Sequence, residues 1–372
     1  MKTIFFILLA PFIIFNANSY GQKNLSSPEN NLGKIYRNIL TIDTHIDTPM
    51  HLMDPGFDIS KRHDPVKDHS RVDFPRMREG GMDAAFFAVF VSQGKRTPEG
   101  NFKAKQRADQ VFDSIYAVLA RFPGEAGLAV SPADAWKLKR EGKRAIFIGM
   151  ENGYPIGNDL SLIQAYYAKG ARYITLCHTR NNDICDSSTD STEHNGLSEF
   201  GKSVVKFMNK TGMMVDISHV SDKSFYDVIA LTKAPVIASH SCARALCNNP
   251  RNMDDAMLQA LAKNGGVIQM CILSAYVKKQ DSTLATVSDV VDHIDHIVRI
   301  AGIDHVGIGT DFDGGGGVTG CYDVSQMKNI TLELLKRGYT ARDIGKIWGG
   351  NLMRVMKKVR RVARKLNPAC NC

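Results

Sequence analysis

The 372-residue chain predicts an α/β fold, a (β/α)8 barrel of the TIM type. Three observations carry that expectation. Eight short apolar runs, each of strand length, are separated by segments with helical spacing. The alternation continues over about 330 residues, the span expected of one such barrel. Six of the eight runs also lead into an ionisable residue, and a β/α barrel gathers the C-terminal ends of its strands around one mouth.

The runs follow in order. ILTID at 39–43 leads into His45 and Asp47, and MDAAFFAVFV at 82–91 is the second run. KQRADQVFDSIYAVLARF at 105–122 then puts Val111, Ile115, Val118 and Leu119 on one helical face. AIFIGM at 145–150 ends at Glu151, and RYITLC at 172–177 ends at His178. The helical segments 161–170 and 198–212 both finish on Gly, a common residue just past a helix. Ser198 followed by Gly201 is no capping box, so the start of the second is left open. MMVDIS at 213–218 ends at His219, and the following helix, 221–233, has Ser221 as N-cap and Asp222 in its first turn. APVIAS at 234–239 ends at His240, GGVIQMC at 265–271 is the seventh run, and HVGIGT at 305–310 ends at Asp311. Segments 286–302 and 340–356 complete the helical set. The runs lack polar alternation, as expected of strands covered outside and packed within. An open doubly wound sheet is the rival, but no GxGxxG follows the first strand. Long polar loops such as 51–80 and 179–197 would wall the mouth.

Composition is that of a globular chain, with 44% hydrophobic and 23% charged residues. Residues 1–21 read as a signal peptide: Lys2, the apolar stretch IFFILLAPFIIF, then small and polar residues with cleavage after Ser19 or Gly21. About 12 apolar residues are too few to span a bilayer comfortably. The barrel domain is expected over 33–366, with a short tail at 367–372. Eight Cys in an exported chain leave disulfides open, although Cys177 and Cys271 fall in strands and read as small buried hydrophobes. The net charge of +9 is partly local, because residues 354–365 hold seven cations and no acid. A basic helix could meet anionic lipid or nucleic acid, but the expected reading is a solvated helix face that packs Val355, Val359 and Val362 inward. No aromatic interleaving or motif points to nucleic acid.

His45 and Asp47 stand at i and i+2, on one side of an extended strand end. Either His219 or His240 alone reads as a core or capping residue. Both of them, with His45, Asp47 and Glu151 at other strand ends, are hard to place in a core. The five divide into two metal sites, His45 with Asp47 and His219 with His240, bridged by Glu151 and leaving room for a bridging hydroxide. Mixed imidazole and carboxylate ligands favour zinc, two ions per chain, over manganese, cobalt or iron. Such a pair makes a water nucleophile near neutral pH. Asp311, in GIGTDFDGGGG, is a sixth ligand or a proton carrier, with Asp313 as competitor. The glycines at 314–317 read as close backbone approach to substrate. His178 is a further ligand or an electrophilic partner for a carbonyl oxygen. His293 and His296, at i and i+3 on a helix leaving the mouth, are expected at the surface.

At these residues the chain resembles the membrane (renal-type) dipeptidases, metallopeptidases of the amidohydrolase-like barrel group. IDTHIDTP at 42–49, GMENGYPI at 149–156, GARYITLCH at 170–178 and residues 196–221 carry the resemblance. APVIASHSCARALCNNPRNMDDAML at 234–258 and HVGIGTDFDG at 305–314 extend it, so that it covers about residues 35–356. The resemblance implies the same ligand split, with His45, Asp47 and Glu151 on one zinc and Glu151, His219 and His240 on the other. It makes His178 the contact to the substrate carbonyl and Asp311 the proton shuttle. It adds Arg251, in NNPRNM, as the binder of a dipeptide's C-terminal carboxylate, and Tyr276 as a pocket tyrosine. A homodimer is the assembly it implies. Two family disulfides are not expected, because Lys279 and Arg180 stand where partner cysteines would be. The tail is basic and has no hydrophobic segment, so no stable membrane anchor is expected after signal cleavage. NDICDSSTD at 182–190 resembles bacterial members, which implies a periplasmic or secreted enzyme.

The expected activity is therefore hydrolysis of dipeptides, with a C-terminal D-residue among the substrates the resemblance allows. An amidase, deacetylase or lactonase on the same barrel is the alternative, since one fold hosts many reactions. A non-catalytic binding protein would bind no metal.

Overall fold

A computed structural model describes residues 28–279 and 285–368, with the side chains of 28–31 left aside. Residues 1–21, read above as a signal peptide, and Cys370 and Cys372 lie outside the described residues. The strands are β1 (Ile42–Ile46), β2 (Ala84–Phe90), β3 (Ala126–Leu128), β4 (Arg144–Glu151), β5 (Ala171–Thr175), β6 (Met214–Asp216), β7 (Ile237–Ser241), β8 (Val267–Met270) and β9 (Val306–Ile308). Eight of them pair in parallel in the order β1-β2-β4-β5-β6-β7-β8-β9, alternating with helices. The molecule is a (β/α)8 barrel.

The ninth strand, β3, was not expected. It pairs with Arg144–Ile146 at the start of β4, whereas β5 meets β4 only from Ile148 onward. Three residues of AGL thus fill the first half of an edge that β5 is too short to cover. They are too few to show a strand period.

The last strand meets the first through residues of the mouth itself. Asp311 N donates to the His45 carbonyl at 3.0 Å, and Asp47 N donates to the Phe312 carbonyl at 2.8 Å. Below them the buried Asp43 carboxylate accepts from Thr310 N at 2.9 Å, Thr310 Oγ1 at 2.5 Å and His45 N at 3.1 Å. A second buried carboxylate, Asp216, joins three neighbouring strands. It accepts from Thr175 Oγ1 of β5 at 2.5 Å, from Ser239 N and Oγ of β7 at 2.8 and 2.6 Å, and from Ser218 N at 3.0 Å.

The opposite end of the barrel is closed by apolar packing. Phe86 and Phe147 stack with ring centroids 4.7 Å apart, and Tyr173 lies 5.4 Å from Phe86. Val355, Met356 and Val359 of the helix Asn351–Leu366 join the same cluster as the strand starts Ile42, Ala84, Ala145 and Val267. That helix turns Lys357, Lys358 and Arg361 to solvent, as its spacing implies. Helix ends follow the local chemistry. Ser198 does cap its helix, accepting from Gly201 N at 2.9 Å, and Thr286 with Asp289 forms a capping box. The six described cysteines are free and buried, so no disulfide braces this part of the chain.

Because Asp216 has no solvent to fall back on, its removal strands two hydroxyls and two backbone N–H groups. Asp216→Ala is expected to lower unfolding free energy by about 3 kcal/mol or more. Equilibrium denaturation would measure this, and an unchanged midpoint would show that the strands hold without it.

Candidate metal centre

Each polar residue of the mouth is placed by a strand end. His45 lies in β1 and Asp47 just beyond it; Glu151 ends β4 and His240 lies within β7. His178, His219 and Asp311 each stand three residues past the ends of β5, β6 and β9. Asn152, His219 and Asp311 adopt positive φ of 78°, 72° and 65°, a region that L-residues seldom take and that Asn, Asp and His enter most readily.

Glu151 is the centre. Its Oε1 lies 3.0 Å from His219 Nε2, 3.5 Å from His240 Nε2 and 3.8 Å from His178 Nε2. Its Oε2 lies 3.5 Å from His45 Nε2, which is itself 3.5 Å from Asp47 Oδ2. Atoms of three sets fall within 4.8 Å of one another: His45, Glu151 and His240; Glu151, His178 and His219; and His45, Asp47 and Asp311. The sets share members, so the donors form one continuous group.

A cation fits this arrangement. His219 Nε2 and His240 Nε2 are 2.8 Å apart. Two lone pairs cannot face each other at that distance unless a proton or a metal ion lies between them. Burial holds both rings well below the usual histidine range, so both are neutral, the form that binds metal. His45 Nε2 and Asp47 Oδ1 are buried without a hydrogen-bond partner. Burial works against the Glu151 carboxylate, yet His45 and His178, when they carry a proton, hold it well below its ordinary range, so without an ion the carboxylate shares its neighbours' positive charge and stays charged.

For His45 and His240 the far side of the ring has a hydrogen-bond partner that orients it. Tyr173 donates to the Thr44 carbonyl at 3.1 Å, so its oxygen, 2.8 Å from His45 Nδ1, must accept from that nitrogen. Ser239 donates to Asp216 at 2.6 Å, and its oxygen receives His240 Nδ1–H at 2.8 Å. In His240, which is neutral, Nε2 is thus left with its lone pair toward Glu151; in His45 the effect of burial is outweighed by Tyr173, Glu151 and Asp47, which hold the ring well above the usual histidine range, so its Nε2 offers a lone pair once a cation displaces the proton.

Asp311 sits at the edge of the group. Burial and the nearby Cys271 and Asp47 push its carboxyl well above the usual range, which favours its protonated form. Asp313 is engaged elsewhere, accepting from Thr48 Oγ1 and from Arg71 N at 2.6 Å each. The glycines after it pack against protein atoms: Gly314 against carboxylates, Gly315 against Leu273, Gly316 against the backbone of Thr310 and Asp311, and Gly317 against the Arg71 guanidinium. A Cβ on Gly314 would lie 2.2 Å from Asp47 Oδ2 and 2.5 Å from Asp311 Oδ1. Arg251 is buried, although it belongs to a loop. Its Nη2 donates to the His240 carbonyl at 3.2 Å, its Nε is unpartnered, and its guanidinium lies 5.3 Å from the Tyr276 ring.

Several supporting residues escaped the sequence. Phe90 at the end of β2 sets its ring 4.8 Å from His178. Ser187 Oγ donates to the His178 carbonyl at 2.6 Å, and Ser188 N donates to the His219 carbonyl at 2.7 Å. His293 and His296 are not at the surface: they are 1% and 7% exposed. His293 Nδ1 accepts from Ala243 N at 3.1 Å, and Nε2 donates to the Val277 carbonyl at 2.7 Å. It thereby ties the loop leading to Arg251 to the turn carrying Tyr276. His296 lies between Asp255 and Arg299. Both partners of His293 are backbone groups distant in sequence, so helical spacing held no sign of them.

Residues 29–369 match the family model described as membrane dipeptidase, peptidase family M19. The chain is 36% identical over 310 residues to dipeptidase aclJ of Aspergillus oryzae, covering 82% of this chain and 73% of that protein. It is 37% identical over 318 residues to dipeptidase ataJ of Aspergillus terreus, covering 79% and 78%. Among solved structures, the probable dipeptidase PvdM from Pseudomonas aeruginosa superposes with a TM-score of 0.85 at 31% identity, over 90% of this chain and 99% of that one.

Neutral imidazoles and carboxylates held this close gain from a cation that the unfolded chain cannot bind as well. Chelation is expected to lower the thermal unfolding midpoint, with recovery on adding a divalent metal; saturation at about 100 times Kd is worth about 2.7 kcal/mol. A midpoint indifferent to chelator would mean the group holds no ion.

Proposed function

The chain belongs to the membrane dipeptidase family, peptidase family M19, and is a metallo-dipeptidase; from that premise we propose that it is an exported enzyme working with two zinc ions. The observation that carries this reading is Glu151, one carboxylate set among four imidazole nitrogens with Asp47 alongside. In it, His45, Asp47 and Glu151 hold one ion, and Glu151, His219 and His240 hold the other. Zinc suits this donor set, and when bound it supplies a water nucleophile near neutral pH and charge opposite a developing oxyanion.

The protein's own groups do the rest. Arg251 holds the dipeptide's C-terminal carboxylate through a guanidinium whose Nε has no internal acceptor. Tyr276 lies under that guanidinium and bounds the pocket. His178, with Nε2 toward Glu151 and its side chain 23% exposed, offers a hydrogen bond to the scissile carbonyl oxygen. Asp311 takes the proton of the attacking water and returns it to the departing amine, a task suited to a carboxyl with a raised pKa. A carboxylate anchor reads charge and position rather than the configuration at Cα, so the proposed substrates include dipeptides ending in a D-residue.

On this reading residues 1–21 are removed on export and the enzyme works as a homodimer. Among the described residues no helix is long and apolar enough to cross a membrane. A bacterial source rests on the likeness of residues 182–190 alone, since the relatives come from fungi as well as from Pseudomonas.

Asp311→Asn is expected to keep two zinc ions per chain by elemental analysis while kcat for a dipeptide falls about a hundredfold. Near-normal turnover would remove Asp311 from proton transfer. Arg251→Ala is expected to raise KM for dipeptides about tenfold or more. An unchanged KM would favour a general amidase, deacetylase or lactonase that has no use for a substrate carboxylate.

A further inference from the structure

A cavity of about 560 Å³ opens beside the metal centre, lined among others by Met50, Phe90, Lys95, Glu99, Lys103 and Arg107. Its inner wall is continuous with the centre. Phe90 is the residue packed on His178, Val91 N donates to the Glu151 carbonyl at 3.3 Å, and Met50 N donates to the Asp47 carbonyl at 2.9 Å. Its outer wall is the helix Pro98–Arg121, whose first turn is fixed by Thr97 accepting from Gly100 N at 3.1 Å. Tyr154 locks the loop between the walls by donating to the Lys95 carbonyl at 2.6 Å. Gly100 is required there, because a Cβ would lie 1.9 Å from that carbonyl oxygen.

The charge of this cavity is one-sided. Its lining holds three cations and one acid, and that acid, Glu99, is already paired with Lys103 at 2.6 Å. Arg107 is half-buried and has no carboxylate partner among the described residues. Its Nη1 lies 3.3 Å from Met53 Sδ and its Nη2 4.0 Å from Met50 Sδ. Thioethers are weak acceptors, so a fork suited to two strong ones has none from the described residues and stays open to an acceptor that enters the cavity.

The ring order places this cavity relative to the substrate. In the sequence β1-β2-β4-β5-β6-β7-β8-β9, β2 and β7 stand four places apart, directly across the mouth. Phe90 ends β2, and Arg251 follows β7. A dipeptide in extended form spans about 7 Å. With its carboxylate at Arg251 and its peptide bond over the metal centre, its N-terminal residue points to the Phe90 wall.

From this geometry we infer that the cavity receives the side chain of the N-terminal residue and that Arg107 selects an acidic one, Glu or Asp. The inference rests on the dipeptide orientation set out under Proposed function. It makes N-terminally acidic dipeptides the preferred substrate class and Arg107 the residue that sets the preference.

The test compares L-Glu-L-Ala with L-Gln-L-Ala, equal in shape and different in charge, on the zinc-loaded full-length enzyme, with L-Lys-L-Ala and L-Ala-L-Ala alongside. The native enzyme is expected to favour Glu over Gln by about tenfold in kcat/KM, the scale of a charge-assisted hydrogen bond, with Lys below both. In Arg107→Ala and in Arg107→Gln that ratio should fall toward one. Glu and Gln within twofold in the native enzyme would overturn the inference, as would a ratio that survives both substitutions. Hydrolysis of L-Ala-L-Ala without acidic preference would overturn this inference alone. Failure to hydrolyse any of the four would overturn the dipeptide orientation with it.

Discussion

One buried carboxylate faces four imidazole nitrogens at 3.0–3.8 Å, and the rest of the mouth is arranged to make that crowding tolerable. A ring that turns its Nε2 lone pair inward is steadied by an acceptor behind it, which His45 and His240 have and His219, whose Nδ1 is buried without a partner, does not. Tyr173 serves His45, and Ser239, held by Asp216, serves His240. These partners are themselves buried and hydrogen-bonded, so the geometry is set before any ion arrives. The same carboxylates that tune the centre also join strands: Asp216 spans β5 to β7, and Asp43 spans β9 to β1. Stability and metal geometry therefore share atoms.

Backbone strain is concentrated at the same place. Asn152, His219 and Asp311 all sit at positive φ where the chain leaves a strand. Each such residue costs on the order of 1–3 kcal/mol, offset by the apolar packing at the other end of the barrel. The division of labour along the barrel axis follows. Aromatic stacking and the C-terminal helix close one end, and the long loops fasten to carbonyls of His178, His219 and His240 at the other.

Much of this was legible before any coordinates. Strands covered on both faces read as uninterrupted apolar runs, and the residue after each run marks the mouth because parallel strands all end there. Other features were not legible, for distinct reasons. The three-residue β3 is shorter than any period. His293 and His296 read as polar positions on a helix, yet one meets backbone groups of Ala243 and Val277 and the other Asp255. The glycines after Asp313 could be read as making room, but not for what; Gly314 admits the carboxylates of Asp47 and Asp311, and Gly317 admits the Arg71 guanidinium. Ser198 caps its helix although its N3 residue is Gly, because the serine oxygen alone satisfies the N3 amide.

The chain by itself determined the alternation of strand and helix, the identity of the residues at each strand end, and the family. Hydrophobic period and short motifs are local properties, written in consecutive residues. Tertiary structure decided which nitrogen of each histidine faces inward, that Asp313 is engaged with Thr48 and Arg71 while Asp311 stays beside Asp47, and that Arg251 and Arg107 stand on opposite walls. Those outcomes depend on distances between residues tens to hundreds of positions apart. Only closing the barrel sets such distances.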